Sequence, residues 1–161
     1  MFDTIIIGSG PAGMSAAIYL RRANKKVLLI EKEAPGGQMI RTDVIENYPG
    51  FKKIGGADLA YQMYEQVTEL GAEFAYEEVI DLQKDKYFTV ITNENKYETK
   101  TVLYATGNTN KLLGVPGERK LRGKGISFCA VCDGGLYKNK DVVVIGSSKA
   151  ALEESLYLAG I

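Results

Sequence analysis

The 161-residue chain is 45% apolar and 25% charged, a globular balance that excludes both a disordered polymer and a fibre. Its 20 basic and 20 acidic residues cancel, so composition gives no electrostatic argument for binding nucleic acid or a membrane. No apolar run approaches the about 18 residues of a membrane span, and the Met1-Phe2-Asp3-Thr4 start lacks the basic region of a signal peptide. A cytoplasmic protein is expected.

The first element is Thr4-Ile5-Ile6-Ile7, an unbroken β-branched run of the kind buried on both faces of a parallel sheet. It leads straight into Gly8-Ser9-Gly10-Pro11-Ala12-Gly13, then a helical stretch from Met14 to Arg22, then a second apolar strand, Val27-Leu28-Leu29-Ile30, ending at Glu31 and Lys32. Strand, glycine turn, helix, strand and acid within about thirty residues form a dinucleotide-binding fingerprint. Gly8 permits the tight turn, Gly10 admits a pyrophosphate to the backbone, and Gly13 lets helix pack on strand. The helix N-terminus favours phosphate charge, and Glu31 suits a ribose diol. An acid there selects an unphosphorylated 2′-hydroxyl, hence FAD or NAD over NADP; the residues alone leave that pair open.

A long segment rich in turn formers follows, with Pro35-Gly36-Gly37-Gln38 and Glu46-Asn47-Tyr48-Pro49-Gly50. Long loops in compact domains are usually functional, and Gln38 and Asn47 each offer a donor and an acceptor. The spacing predicts a helix over Ala57 to Leu70, with Leu59, Met63, Val67 and Leu70 on its core face and Gly71 as its stop. Tyr61 and Tyr64 read as its flanks. Strands are expected over Val79 to Leu82, Tyr87 to Thr92 and Lys96 to Glu98, with a hairpin turn at Asn93-Glu94-Asn95. A further strand, Thr101 to Ala105, stops at Thr106-Gly107-Asn108, and ligands gather at such strand ends in open α/β sheets. Leu113-Gly114-Val115-Pro116-Gly117-Glu118 reads as a linker.

Beyond it stands Cys129-Ala130-Val131-Cys132-Asp133-Gly134, which holds the only two cysteines. Two thiols so spaced can close a small disulfide ring and reopen it, and Asp133 could carry the accompanying proton. Half of a zinc site reads poorly, because such sites usually need four ligands and the chain has no histidine and no second cysteine pair. A static disulfide would close too short a loop to stabilise much. A second strand–turn–helix opening follows: Asp141-Val142-Val143-Val144-Ile145, then Gly146-Ser147-Ser148, then a helix from Lys149. Here Ser148 stands where the fingerprint wants its second glycine, and its Cβ would obstruct a pyrophosphate. The expected fold class is α/β, with two Rossmann-like dinucleotide-binding domains of three-layer ββα/βαβ type. They would span residues 1–115 and 116–161, the second incomplete in this chain.

Taken together, these motifs resemble the low-molecular-weight, bacterial-type thioredoxin reductases. The likeness is carried in order by Gly8-Ser9-Gly10-Pro11-Ala12-Gly13, Gly36-Gly37-Gln38, Glu46-Asn47-Tyr48-Pro49-Gly50, Ala105-Thr106-Gly107 and Cys129-Ala130-Val131-Cys132-Asp133-Gly134. It implies that the first fingerprint holds tightly bound FAD, with Glu31 on the adenosine ribose, Gln38 and Asn47 on the flavin side, and Thr106 and Gly107 beside the cofactor. It further implies that Cys132 takes electrons from the flavin, that Cys129 attacks the disulfide of thioredoxin or a thioredoxin-like protein, and that Asp133 is the proton-transfer acid. A homodimer is implied as well. Two departures stand out: family members are considerably longer, and Ser147-Ser148-Lys149 replaces the usual NADPH turn. The donor is therefore expected to be NADPH or reduced ferredoxin, the latter serving divergent members of the family. A peroxiredoxin-reducing flavoprotein and a non-catalytic nucleotide module with a static disulfide are the competing readings.

Overall fold

The computed structural model describes residues 1–161, which divide into two compact units, Met1–Asn108 and Thr109–Ile161. In the first, strands β1 (Phe2–Ile7), β2 (Val27–Ile30), β3 (Glu73–Ala75), β4 (Val79–Lys84), β5 (Phe88–Thr92) and β6 (Lys96–Tyr104) form one sheet in the order β3-β2-β1-β6-β5-β4. Helix α1 (Pro11–Arg22) joins β1 to β2, and α2 (Gly56–Glu69) precedes β3. The β3-β2-β1-β6 half is parallel, whereas β6-β5-β4 is an antiparallel meander. This is the mixed α/β architecture expected from the strand–helix alternation.

Both faces of β1 are covered, which is why its sequence is apolar without alternation. Ile6, Val27 and Leu29 pack on one face with Met14 and Ala17 of α1 and Leu59, Met63 and Val67 of α2. Met63 is thus core, as its helical spacing predicted. Ile5, Ile7, Leu28 and Ile30 face the other way, where Ala75, Val90, Leu82 and Tyr97 cover them. Strand residues therefore supply the second covering layer, giving the ββα layering. Ile5 and Ile6 are fully buried, and truncating either to alanine would destabilise by about 2–5 kcal/mol.

The register aligns the strand ends that matter. Ile7 lies opposite Ile30 on one side and Tyr104 on the other, so Gly8, Glu31 and Ala105 leave the sheet along one edge. Two expectations need correction here. Residues 96–104 form one strand rather than two, because the polar run between the expected pieces is satisfied inside the ladder: Thr99 is buried with its hydroxyl on the Thr101 carbonyl at 3.0 Å, and the Thr4 and Thr101 hydroxyls meet at 2.9 Å. Strand β3 is an addition, three residues too short to show a period.

The second unit is mostly loop and short helix: α3 (Glu118–Leu121), α4 (Ala130–Asp133), a 3-10 turn over Gly134–Tyr137, and α5 (Lys149–Ala159). The expected linker at Leu113–Glu118 is instead a closed loop. The buried Glu118 carboxylate accepts the N–H of Leu113 at 2.9 Å and of Gly114 at 2.8 Å. The Leu113 N–H, with help from the Gly114 and Val115 N–H groups, holds this carboxyl below its ordinary range despite its burial. The strand expected at Asp141–Ile145 does not form, since no strand of this chain lies alongside to pair with it; Val143 is 86% exposed.

Candidate functional site

In the first unit the glycine turn closes against its neighbours by close approach. Gly8 adopts φ +99°, and a Cβ there would stand 2.5 Å from the Ala105 carbonyl oxygen. A Cβ on Gly13 would lie 2.1 Å from the Gly8 oxygen, so α1 can sit this near β1 only with glycine at that position. Gly10 differs: its backbone is extended and nothing lies within 4 Å of where a Cβ would be. The fold makes no demand for glycine at Gly10; the open space is a cradle that a side chain would fill. Pro11 opens α1, lacking only an N–H that would have been unpaired anyway, and Ala12 and Gly13 follow with free first-turn donors.

Glu31 is held by the glycine turn. The buried Ser9 donates both its backbone N–H, at 2.9 Å, and its hydroxyl, at 3.1 Å, to one carboxylate oxygen. The other oxygen accepts the Glu33 N–H at 3.0 Å. Ser9 thus fills one oxygen, and the oxygen that accepts only the Glu33 N–H retains a lone pair for a further donor. The second loop is tied to the same place. Gly36 N–H donates to the Ser9 carbonyl at 2.9 Å, a Cβ on Gly37 would stand 3.3 Å from Gly10 Cα, and Gln38 Nε2 donates to the Asn108 carbonyl at 3.2 Å.

The structure thus gathers Gly8 to Gly13, Glu31, Gly36, Gly37 and Gln38 with the Ala105-Thr106-Gly107 strand end, where Thr106 and Gly107 are exposed. Of the other two expected members, one is ion-paired and one lies on an exposed loop. Lys32 is engaged by the Glu78 carboxylate at 3.1 Å, a pairing that raises its pKa, and Asn47 sits exposed on the loop pinned by the Ile45–Ile54 bridge. Sequence reasoning missed the Ser9–Glu31 lock, because a serine in a glycine turn does not announce which carboxylate it will meet.

In the second unit Cys129 and Cys132 are joined in a disulfide, their Cα atoms 5.3 Å apart. Cys129 caps α4, with Sγ 3.2 Å from the Cys132 N–H, and Asp133 N–H donates to the Cys129 carbonyl at 3.1 Å. Cys132 and Val131 are exposed and Cys129 is half-buried. Gly134 anchors the motif from below: a Cβ there would meet the Ile161, Leu158 and Tyr157 side chains at 2.9, 3.1 and 3.4 Å, packing the motif against α5. Ser127, which carried no expectation, bonds to both Cys129 and Asp133. A hydroxyl two residues before a helix cap was its one readable signal. At the second strand–turn–helix opening, the Ser148 hydroxyl caps α5 by accepting the Ala151 N–H at 3.4 Å.

Known proteins resemble this chain along nearly its whole length. The sequence pattern described as "Pyridine nucleotide-disulphide oxidoreductase" matches residues 2–161. The chain belongs to this family. Among its curated relatives, the thioredoxin reductase of Bacillus subtilis is 46% identical over 159 residues, covering 98% of this chain and 50% of that protein. The thioredoxin reductase of Ureaplasma parvum is 47% identical over 162 residues, covering 100% of this chain and 52% of that protein. The crystal structure of thioredoxin reductase from Streptococcus pyogenes superposes with a TM-score of 0.96 at 47% identity, over 99% of this chain and 53% of that one. The chain therefore spans about half the length of the relatives it matches, and within the family its likeness is to thioredoxin reductases of the bacterial type.

Proposed function

We propose that this chain carries the FAD-binding site and the redox-active disulfide of a thioredoxin reductase-like flavoenzyme. The observation that carries the reading is the Cys129–Cys132 disulfide, exposed at Cys132 with Asp133 tied by its backbone N–H to the Cys129 carbonyl. In this proposal residues 1–115 form the FAD-binding part and residues 116–161 begin the pyridine-nucleotide-like domain that presents the dithiol.

The cradle suits FAD. Gly10 leaves room for a pyrophosphate, the first turn of α1 offers donors, and Glu31, locked by Ser9, would take the adenosine ribose. Gln38, Asn47 and the Ala105-Thr106-Gly107 turn would border the flavin. When bound, FAD supplies the two-electron reduction of the disulfide. The chain's own part is the exchange. Cys129 thiolate attacks a sulfur of the partner's disulfide, forming a mixed disulfide and releasing one partner thiolate, which takes a proton. Cys132 then attacks the Cys129 sulfur, restoring the Cys129–Cys132 bond and freeing the second partner thiol. Asp133 holds and returns the proton at the dithiol.

The partner is thioredoxin or a thioredoxin-like protein, the working form a homodimer, and the compartment the cytoplasm. NADPH is the proposed donor, supported by the family's pyridine-nucleotide chemistry. Reduced ferredoxin is the second reading, favoured by Ser148, whose hydroxyl takes the helix-capping position at the second opening.

The test is Cys132→Ser in the FAD-loaded protein, with flavin content and thioredoxin reduction measured together. Flavin is expected to stay bound while disulfide reduction is abolished; unchanged turnover would overturn the assignment.

A further inference from the structure

Ser127 lies outside the two-cysteine motif, on the exposed approach to it, yet its hydroxyl joins two members. It accepts the backbone N–H of Cys129 at 3.1 Å. Its single proton has two acceptors in reach, the Asp133 carboxylate oxygen at 2.5 Å and the Cys129 carbonyl at 3.3 Å, and the shorter contact is to Asp133. Asp133 is also held by its backbone, whose N–H donates to the Cys129 carbonyl at 3.1 Å. Cys129 and Asp133 lie one helical turn apart, at the two ends of α4, and Ser127 closes the ring between them from outside the helix.

A carboxylate on a free surface samples several rotamers, and a proton-transfer group works only within hydrogen-bond reach of its target. A charge-assisted hydrogen bond from a backbone-anchored hydroxyl selects one rotamer. We infer that Ser127 is a positioning residue for the dithiol chemistry, one that acts by holding the Asp133 carboxylate in register with Cys129. This rests on the proposed role of Asp133 as the proton carrier. Ser127 touches no sulfur through its side chain in this arrangement, so its effect passes through Asp133.

The experiment follows reduction of the Cys129–Cys132 bond by dithiothreitol, a small dithiol, in the full chain and as a function of pH. In that reaction the reductant's two thiols become its own disulfide, the protein's S–S bond breaks, and two electrons and two protons end on Cys129 and Cys132. Asp133→Asn is expected to slow the step roughly a hundredfold and change its pH profile. Ser127→Ala is expected to slow it about tenfold, the loss of one hydrogen bond to a charged group, with a pH profile altered in the same sense. Ser127→Thr keeps the hydroxyl and should restore the rate, whereas Ser127→Val, of the same shape without it, should not. In the Asp133→Asn background Ser127→Ala should add nothing.

Ser127 is exposed, so none of these side chains enters the core, and unchanged thermal midpoints would verify the fold. An equal slowing by Ser127→Ala in both backgrounds would overturn the inference, because Ser127 would then act independently of Asp133. So would an unchanged rate and profile in Ser127→Ala. Wild-type behaviour of Asp133→Asn is a different result: it would remove the proton carrier from the proposed function and the inference with it.

Discussion

Gly10 and Gly13 belong to one turn, but different parts of the molecule require them. A side chain at Gly13 would strike the Gly8 carbonyl, so that glycine serves the packing of α1 on β1. A Cβ at Gly10 would have no protein atom within 4 Å, so packing does not require that glycine, and the proposed function assigns it to a ligand. Gly10→Val should therefore purify without FAD and melt with the flavin-free wild type, whereas Gly13→Val should lose several kcal/mol of stability by forced overpacking. Flavin-to-protein ratio and thermal midpoint, measured on both, separate the two roles; full flavin occupancy in Gly10→Val would show that the turn has been misread. The turn was legible in the sequence because each glycine answers a steric need that spacing reveals. Ser9 and Ser127 were not, since a hydroxyl's partner is set by tertiary geometry. Lys32 adjoins Glu31 in sequence, yet its partner Glu78 stands 46 residues away.

Among the elements, the β4–β5–β6 meander depends on a polar network at its turn. The buried Glu77 carboxylate accepts from the Thr92 hydroxyl, from Tyr97 OH at 2.6 Å and from Asn95 Nδ2 at 2.8 Å. Burial pushes the Glu77 carboxyl up, but the three hydrogen bonds outweigh it and hold the group below its ordinary value of 4.5. A carboxyl depressed in the folded state adds stability that is present above its unfolded pKa and lost as pH falls through the folded one. Urea unfolding should therefore show stability falling from about pH 4.5 downward. Glu77→Gln should flatten that dependence and cost about 2 kcal/mol at neutral pH, as a buried network loses a charged acceptor. On the alkaline side, burial and the Glu77 charge raise Tyr97 to about 12, so its contribution is intact below the ordinary tyrosine value of 10.0 and fades as pH climbs toward 12. The sequence announced the turn through Asn93-Glu94-Asn95 but gave no sign of Glu77, which reads as one acid in a charged stretch.

Across the whole molecule, stability is distributed unevenly. The first unit buries β1 and β2 on both faces, while the second leaves Val143, Ile145, Leu152 and Leu156 between 68% and 86% exposed. Amide exchange should be slowest at Ile5 to Ile7 and Leu28 to Ile30, and close to the unprotected rate at Val142 to Ile145; protection at the latter would mean that a pairing strand reaches them. That segment also marks where reading the sequence went furthest from the structure. Its apolar run has the composition of a strand, but a strand exists only by its ladder, and pairing is a property of neighbours. The placement of β1 has a consequence for how the chain matures. One edge of β1 is closed early by β2, but the other waits for β6, whose Thr101 pairs with Thr4 across 97 residues. As the polypeptide leaves the ribosome, three consecutive isoleucines present an open, apolar edge throughout that interval, the kind of edge that recruits foreign strands. Crowded synthesis should thus favour aggregation until β6 emerges, and holdase chaperones would have their strongest client in the nascent stretch between β1 and β6.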